Sequence, residues 1–242
     1  MRKARTALLL LCVLASSVLV NGFQQQPGGG RGSAQKYLNG AADAILALKS
    51  TRFSLKHEGT AVYQDDKTGI TISAADCVYA APDRVSCDVK VSLKNGMLLQ
   101  MTRVWVPEGV FQSNPMTRQF AKMPPAEGTF NGAALFAKTG IPDILRTAVQ
   151  NAQVVGREKI QNRNTLRLKG DVSGEKLNPL VGFTLKSEIT YPFDLWIDEQ
   201  SVNTMRIHVT EPDGNGWLVE LSGTNEPVDV PTPQPPPARG PQ

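Results

Sequence analysis

The segment Arg84 to Leu93 reads RVSCDVKVSL, in which Val85, Cys87, Val89, Val91 and Leu93 alternate with Ser86, Asp88, Lys90 and Ser92. A period of two puts every second side chain on the same face of an extended strand, so this stretch has one apolar and one wet face and cannot sit as a helix. Asn95-Gly96 then supplies the backbone freedom of a tight hairpin and sends the chain into LLQMTRVWV, and GVFQS follows Glu108-Gly109. Upstream, Phe53 and Leu55 also alternate with polar neighbours. The first half is therefore an antiparallel meander.

Two long stretches and one short one depart from that period. Ser33 is placed to cap a helix carrying Tyr37, Leu38, Ala41, Ile45 and Leu48 on one face. From Asn131 to Ala152 helical spacing returns in NGAALFAKTGIPDILRTAVQNA, interrupted at Thr139-Gly140 and restarted by Pro142, with Ile141, Ile144, Leu145, Ala148 and Val149 as one stripe. Strands resume with Leu166, Leu168 and Val172, and a short helix is expected around Glu175 to Val181. The strands TLKSEITY to DLWID, TMRIHVTE and WLVELSG complete the chain, the last after a turn at Pro212 to Gly216. Nearly every strand alternates, so one sheet face is apolar and the helices must cover it. The expected fold is α+β, a single large curved antiparallel sheet with helices on its concave side.

The ends read differently from the middle. Arg2, Lys3 and Arg5 precede an apolar run from Thr6 to Val20, 15 residues long, which is short of the roughly 20 that span a bilayer. Residues 1–22 are expected to be a signal peptide cleaved near Gly22, with an uncleaved anchor as the alternative. Cys12 lies inside the apolar run and is read as filler. Loss of the leader leaves 23 basic against 22 acidic residues, a net charge near +1 in place of +4, and no basic run points to nucleic acid. Residues 23–33 read as a flexible linker, 34–230 as the folded domain and 231–242, with six prolines in twelve residues, as an extended solvated tail.

The pentapeptide DLWID, Asp194 to Asp198, sets two carboxylates around an aromatic ring. On a strand they are four residues apart, about 13 Å at 3.3 Å per residue. Glycosidase pairs need roughly 5 to 9.5 Å. DLWID is thus an outer-face pattern with Leu195 and Ile197 pointing inward. His57 shares the inward parity of Phe53 and Leu55, and His208 the solvent face of Arg206; neither stands in a metal-ligand spacing. Nucleophile elbow, Walker loop and dinucleotide fingerprint are missing from the sequence, so nothing nominates an enzyme, a metal or a cofactor.

Four segments taken in order resemble the LppX/LprG family of bacterial cell-envelope lipoproteins, which share a fold with the LolA and LolB lipoprotein carriers. They are ALFAKTGIPDILRTA from Ala134, VVGREKIQNRNTLRLKG from Val154, DLWID, and ELSGTNEPVDVPTP from Glu220. The resemblance implies a half-barrel closed by helices around an apolar cavity for the acyl chains of a lipid or glycolipid, with no cofactor and no catalytic residues. It implies an extracytoplasmic protein, secreted or held in the cell envelope at the outer surface of the cytoplasmic membrane, meeting that surface transiently as a monomer. The family's usual lipidated cysteine is replaced here by Val20-Asn21-Gly22. The cavity-lining residues expected on this basis are Val89, Val91, Val104, Leu135, Phe136, Ile141, Ile144, Leu145 and Val149. Small residues such as Ala74 and Ala75 in a strand agree with a cavity; a close-packed interior in a non-catalytic envelope scaffold is the competing reading.

Cys77 and Cys87 lie in CVYAAPDRVSC. A three-residue turn at Ala81 to Asp83 puts Ala80 opposite Arg84 and Cys77 opposite Cys87, a pair expected to oxidise in an exported protein, against the alternative of two buried thiols. A bridge closing so short a loop should stabilise the fold by about 2 to 3 kcal/mol through the unfolded chain. Equal melting temperatures with and without reductant would refute it.

Overall fold

The computed structural model describes residues 31–59, 70–124, 132–181 and 185–234. The expected leader, most of the linker and most of the proline-rich tail lie outside these residues. Eleven strands among them form one antiparallel sheet that curls into an open half-barrel. In chain order they are β1 (Ser50–Glu58), β2 (Ile70–Ala80), β3 (Arg84–Leu93), β4 (Leu98–Val106), β5 (Gly109–Ser113), β6 (Phe120–Lys122), β7 (Gln150–Ile160), β8 (Arg163–Ser173), β9 (Thr190–Asp198), β10 (Thr204–Thr210) and β11 (Gly216–Ser222). Their spatial order is β6-β5-β4-β3-β2-β1-β11-β10-β9-β8-β7. Two hairpin meanders therefore grow outward from a central seam where the first strand pairs with the last.

That order dictates where the helices go. The chain finishes its first meander at one edge, β6, and must begin the second at the opposite edge, β7. The connecting segment carries a 3₁₀ turn at Ala133–Phe136, then α2 (Ile141–Asp143) running into a π-helical turn at Ile144–Ala148. Its apolar residues Leu135, Phe136, Ile141, Ile144 and Leu145 are all buried against the sheet. The N-terminal helix α1 (Arg31–Leu46) packs on this crossover and on β7 and β10, and α3 (Gly174–Val181) lies against β8. Pro142 opens α2 as expected. Gly140 is obligatory before it: a Cβ there would meet the carbonyl oxygens of Ala134 at 2.2 Å and Leu135 at 2.3 Å.

Several expectations need correction. Helix α1 begins at Arg31, so Ser33 lies within it instead of capping it; Ala34, Leu38, Ala41, Ala42 and Ile45 make its buried face, while Tyr37 is exposed. Helical structure ends at Ala148, and Gln150 to Ala152 already belong to β7. The register of β7 on β8 slips at Gln150/Gln153 and again at Val154/Gly156, and these bulges hide its alternation. The segment before Thr190 is not strand in its described residues, because side chains capture its backbone: Leu185 N–H donates to Asn178 Oδ1 at 2.9 Å and Lys186 N–H to Tyr191 Oη at 2.9 Å. Of the tail, Pro231 and Gln234 are exposed, while Thr232 Oγ1 accepts from Arg84 at 3.3 Å, two residues beyond the buried Val230.

The hairpin arithmetic for the cysteines holds. Ala80 faces Arg84 and Cys77 faces Cys87, whose sulfurs are joined with Cα atoms 4.1 Å apart.

DLWID is a structural element of the outer face, though a dry one. Asp194, Trp196 and Asp198 are 6%, 6% and 3% exposed. Arg167 and Arg206 lie 4.9 and 5.5 Å from the Trp196 ring centroid, Arg167 Nε donates to Asp194 at 2.8 Å, and Arg163 donates to Asp198 at 3.0 Å. Burial opposes the ionisation of Asp198, but the N–H groups of Ser201 and Gln200 and the Arg163 guanidinium outweigh it and hold the carboxyl below its ordinary range. A carboxyl lowered by folding stabilises the fold above its unfolded value near 3.9 and loses that contribution as pH falls through the folded value. Asp198→Asn should therefore cost about 1.5 to 3 kcal/mol near neutral pH and flatten the fall in stability below about pH 4. Urea melts at pH 7 and pH 3 check both limbs; parallel curves for the two proteins would refute the assignment.

Candidate functional site

Register alone assembles a transverse ladder across the concave face. Val154, Leu168, Leu195, Ile207, Val219, Leu55, Ala75, Val89 and Met101 are successive cross-strand partners from β7 to β4. A second row runs Leu221, Phe53, Cys77, Cys87, Arg103 and Gln112. The sheet thus offers a broad floor, apolar apart from Arg103 and Gln112, because period-two alternation falls in phase from β8 across to β4. Each side chain fully buried on it contributes about 1.5 to 3 kcal/mol.

Cover over this floor is uneven. Helix α1 and the crossover lie over the β7 to β10 half. Phe136 reaches the other half, stacking on Tyr79 at 4.2 Å and meeting Phe53 edge-on at 5.2 Å. Toward the far ends of β2 and β4, Ile72, Leu99 and Met101 are only partly buried, and Met97 in the turn beyond them is 50% exposed. The apolar floor therefore continues outward to an open end.

Of the residues expected to line a cavity, Val89, Val91, Leu135, Phe136, Ile141, Ile144 and Leu145 come together in one buried cluster. Val149 is half-buried against it, at the start of the second meander. Its place depends on Gly170 of β8, where a Cβ would lie 2.6 Å from Val149 Cγ1. Val104 is not among them. It pairs with Ser86, out of phase with Val85 and Cys87, and packs on the convex face with Val106, Phe111 and Val230. That face is apolar there because the C-terminal strap covers it, with Arg84 donating to the Val230 carbonyl at 3.1 Å.

Polar groups on the concave side are few and placed. His57 is buried edge-on against Trp217 at 4.9 Å, its Nε2 3.2 Å from Glu211 Oε1. His208 is half-buried on the outer face, 3.6 Å from Glu58. Arg103 shares the inward parity of Met101 and Trp105; its Nε lies 3.1 Å from Gln112 Oε1, and its guanidinium 5.9 Å from the Trp105 ring centroid. Burial pushes this guanidinium below its ordinary value. Arg103 was missed in the sequence, although its position in LLQMTRVWV carries the signal: it alternates in phase with Met101 and Trp105. No group of three or more potential metal-binding side chains occurs among the described residues. On the convex side a groove of about 410 Å³ is bordered by Arg52, Ser54, Asp76, Asp88, Glu220 and Ser222.

The model of the LppX_LprAFG lipoprotein family matches residues 33–230. The crystal structure of LprF from Mycobacterium bovis is similar at a TM-score of 0.69 and 18% identity, over 84% of this chain and 97% of that one. The crystal structure of the Mycobacterium tuberculosis lipoprotein LppX is similar at 0.60 and 17% identity, over 83% of this chain and 100% of that one. At these identities the likeness establishes the fold. No curated protein matches the chain.

The position of Val104 has a direct test. Val230→Ala should uncover the convex cluster and cost about 1 to 3 kcal/mol in chemical denaturation. The near-ultraviolet signal of the buried concave aromatics should stay unchanged. A variant as stable as the parent would show that the strap does not hold this face.

Proposed function

Because the chain belongs to the LppX_LprAFG lipoprotein family, we propose that it is an exported carrier that shields the acyl chains of a lipid or glycolipid between the concave sheet face and its helical cover. The observation that carries this reading is the nine-member apolar ladder with its open end at Leu99 and Met101. A sixteen-carbon chain needs on the order of 12 kcal/mol of shielding at about 0.8 kcal/mol per methylene, and only a long apolar surface supplies it. The residues proposed to meet the chain are Val89, Val91, Leu135, Phe136, Ile141, Ile144, Leu145 and Val149. They pack on one another in the structure, so a ligand enters by displacing the crossover from the floor.

In this reading the protein works outside the cytoplasm as a monomer, touches a membrane surface only to load and unload, and uses no cofactor and no catalytic group. Among the described residues no helix is long and apolar enough to cross a membrane. The competing reading, an envelope scaffold with a solid interior, is favoured by the polar convex groove at Asp76, Asp88 and Glu220, a feature that lipid carriage does not use.

Val91→Trp separates the two. In a carrier the added ring takes the space that an acyl chain occupies once the crossover is displaced, so the variant should lose most of the lipid extracted with it. In a solid core the same change overpacks the site and costs about 1 to 3 kcal/mol. A destabilised variant with the parental amount of lipid would overturn the lining assignment. A parental protein that neither copurifies with lipid nor takes it up from vesicles would overturn the carrier reading.

A further inference from the structure

Five arginines among the described residues are half-buried: Arg84, Arg103, Arg146, Arg167 and Arg206. Four of them face a carboxylate. Arg84 lies beside Glu108, Arg146 beside Asp43, Arg167 beside Asp194 and Arg206 beside Glu220. Arg103 alone of the five is held by a neutral amide, that of Gln112, which accepts from both its Nε and an Nη. No carboxylate among the described residues lies within ion-pair reach of it.

Its position sharpens the contrast. The two neighbours of like parity on its own strand are Met101 and Trp105, and its cross-strand partners are the bridged Cys87 and Gln112. Desolvation without a counter-charge is costly for a cation, and such a group gains most from an anion that arrives with a ligand. A guanidinium has five donors in a planar fork; Gln112 engages one edge and fixes the orientation, leaving the remainder for a phosphate or carboxylate.

We propose that Arg103, clamped by Gln112, receives the anionic group of an acidic lipid whose acyl chains lie along Met101, Val89 and the apolar row beyond them. This rests on the carrier reading and narrows its ligand to a lipid with a phosphate or carboxylate near the chains. Gln112 is a positioning residue, acting through the orientation of Arg103.

The test loads the purified full chain from vesicles containing equal amounts of phosphatidylglycerol and a diacylglycerol with the same chains, and counts both lipids on the reisolated protein by mass spectrometry. The parent should take phosphatidylglycerol roughly tenfold over the neutral lipid, the ratio expected of one charge-assisted contact. Arg103→Gln should load the diacylglycerol normally and bring the ratio close to one; Arg103→Lys, which keeps the charge but loses the fork, should fall between. If Arg103→Gln does not fold, Gln112→Leu is read instead and should lower the ratio at least threefold. Excess inorganic phosphate in the loading mixture distinguishes the source of the anion: a ratio reduced by it marks a site open to free phosphate, and an unchanged ratio one that needs the lipid-borne group. Equal loading of both lipids by the parent, or an unchanged ratio in Arg103→Gln, would overturn the assignment and leave the carrier reading in place. Uptake of neither lipid by the parent would overturn the carrier reading itself.

Discussion

The pairing of β1 with β11 is the contact on which the rest depends. Seven residue pairs, from Arg52 with Ser222 to Glu58 with Gly216, join the two meanders into one sheet. Without this seam the Leu55 and Val219 positions would be two separate edges, and Phe136 of the crossover, which otherwise covers β7 to β10 together with α1, would have no Phe53 and Tyr79 to pack on. The seam joins residues more than 150 positions apart, so its loop-closure cost is met only once both meanders exist. The turn after β11 reinforces it: Asn225 N–H donates to the Ser50 carbonyl at 2.8 Å, and Lys49 N–H donates to Asn225 Oδ1 at 2.7 Å.

A sheet with one apolar face is expected to leave the other wet, yet here the outer face is dry in two places. Around Trp196 the guanidinium groups of Arg167 and Arg206 cover the ring while serving Asp194 and Glu220 at its sides. Around Val104 and Phe111 the cover is the C-terminal strap with Val230. The first arrangement uses the amphipathic stem and planar head of arginine, which lysine could not reproduce. The second borrows chain that has no ladder of its own.

How far the sequence could be read follows from the distance over which each feature is determined. The β3 to β5 meander, the Cys77–Cys87 bridge and the place of DLWID were legible because alternation and short turns are local, and their registers agree with the hairpin spacing. The floor residues Val89 and Val91 followed from the same parity. Strand β7 was not legible: its bulges break the period, and its turn to β8 uses Gln161 and Asn162, both at positive φ, in place of a glycine pair. Val104 was misplaced because parity says that it opposes Val89 and Val91, while its apolar character came from a strap that returns from the far end of the chain. The crossover's stripe was legible as amphipathic but not as three short helical pieces, since its shape is set by the gap it must bridge between β6 and β7.

That crossover also has a consequence in time. Its backbone is held by a handful of turn hydrogen bonds, such as Gly140 N–H to the Ala137 carbonyl and Val149 N–H to the Ile144 carbonyl, whereas every strand it covers is tied to neighbours along its length. Cooperative units with fewer hydrogen bonds open at lower free energy than the whole domain. The crossover and the floor therefore belong to different clocks: amides of residues 133–148 should exchange with solvent well ahead of those in β1 and β11, within the lifetime of one folded sheet.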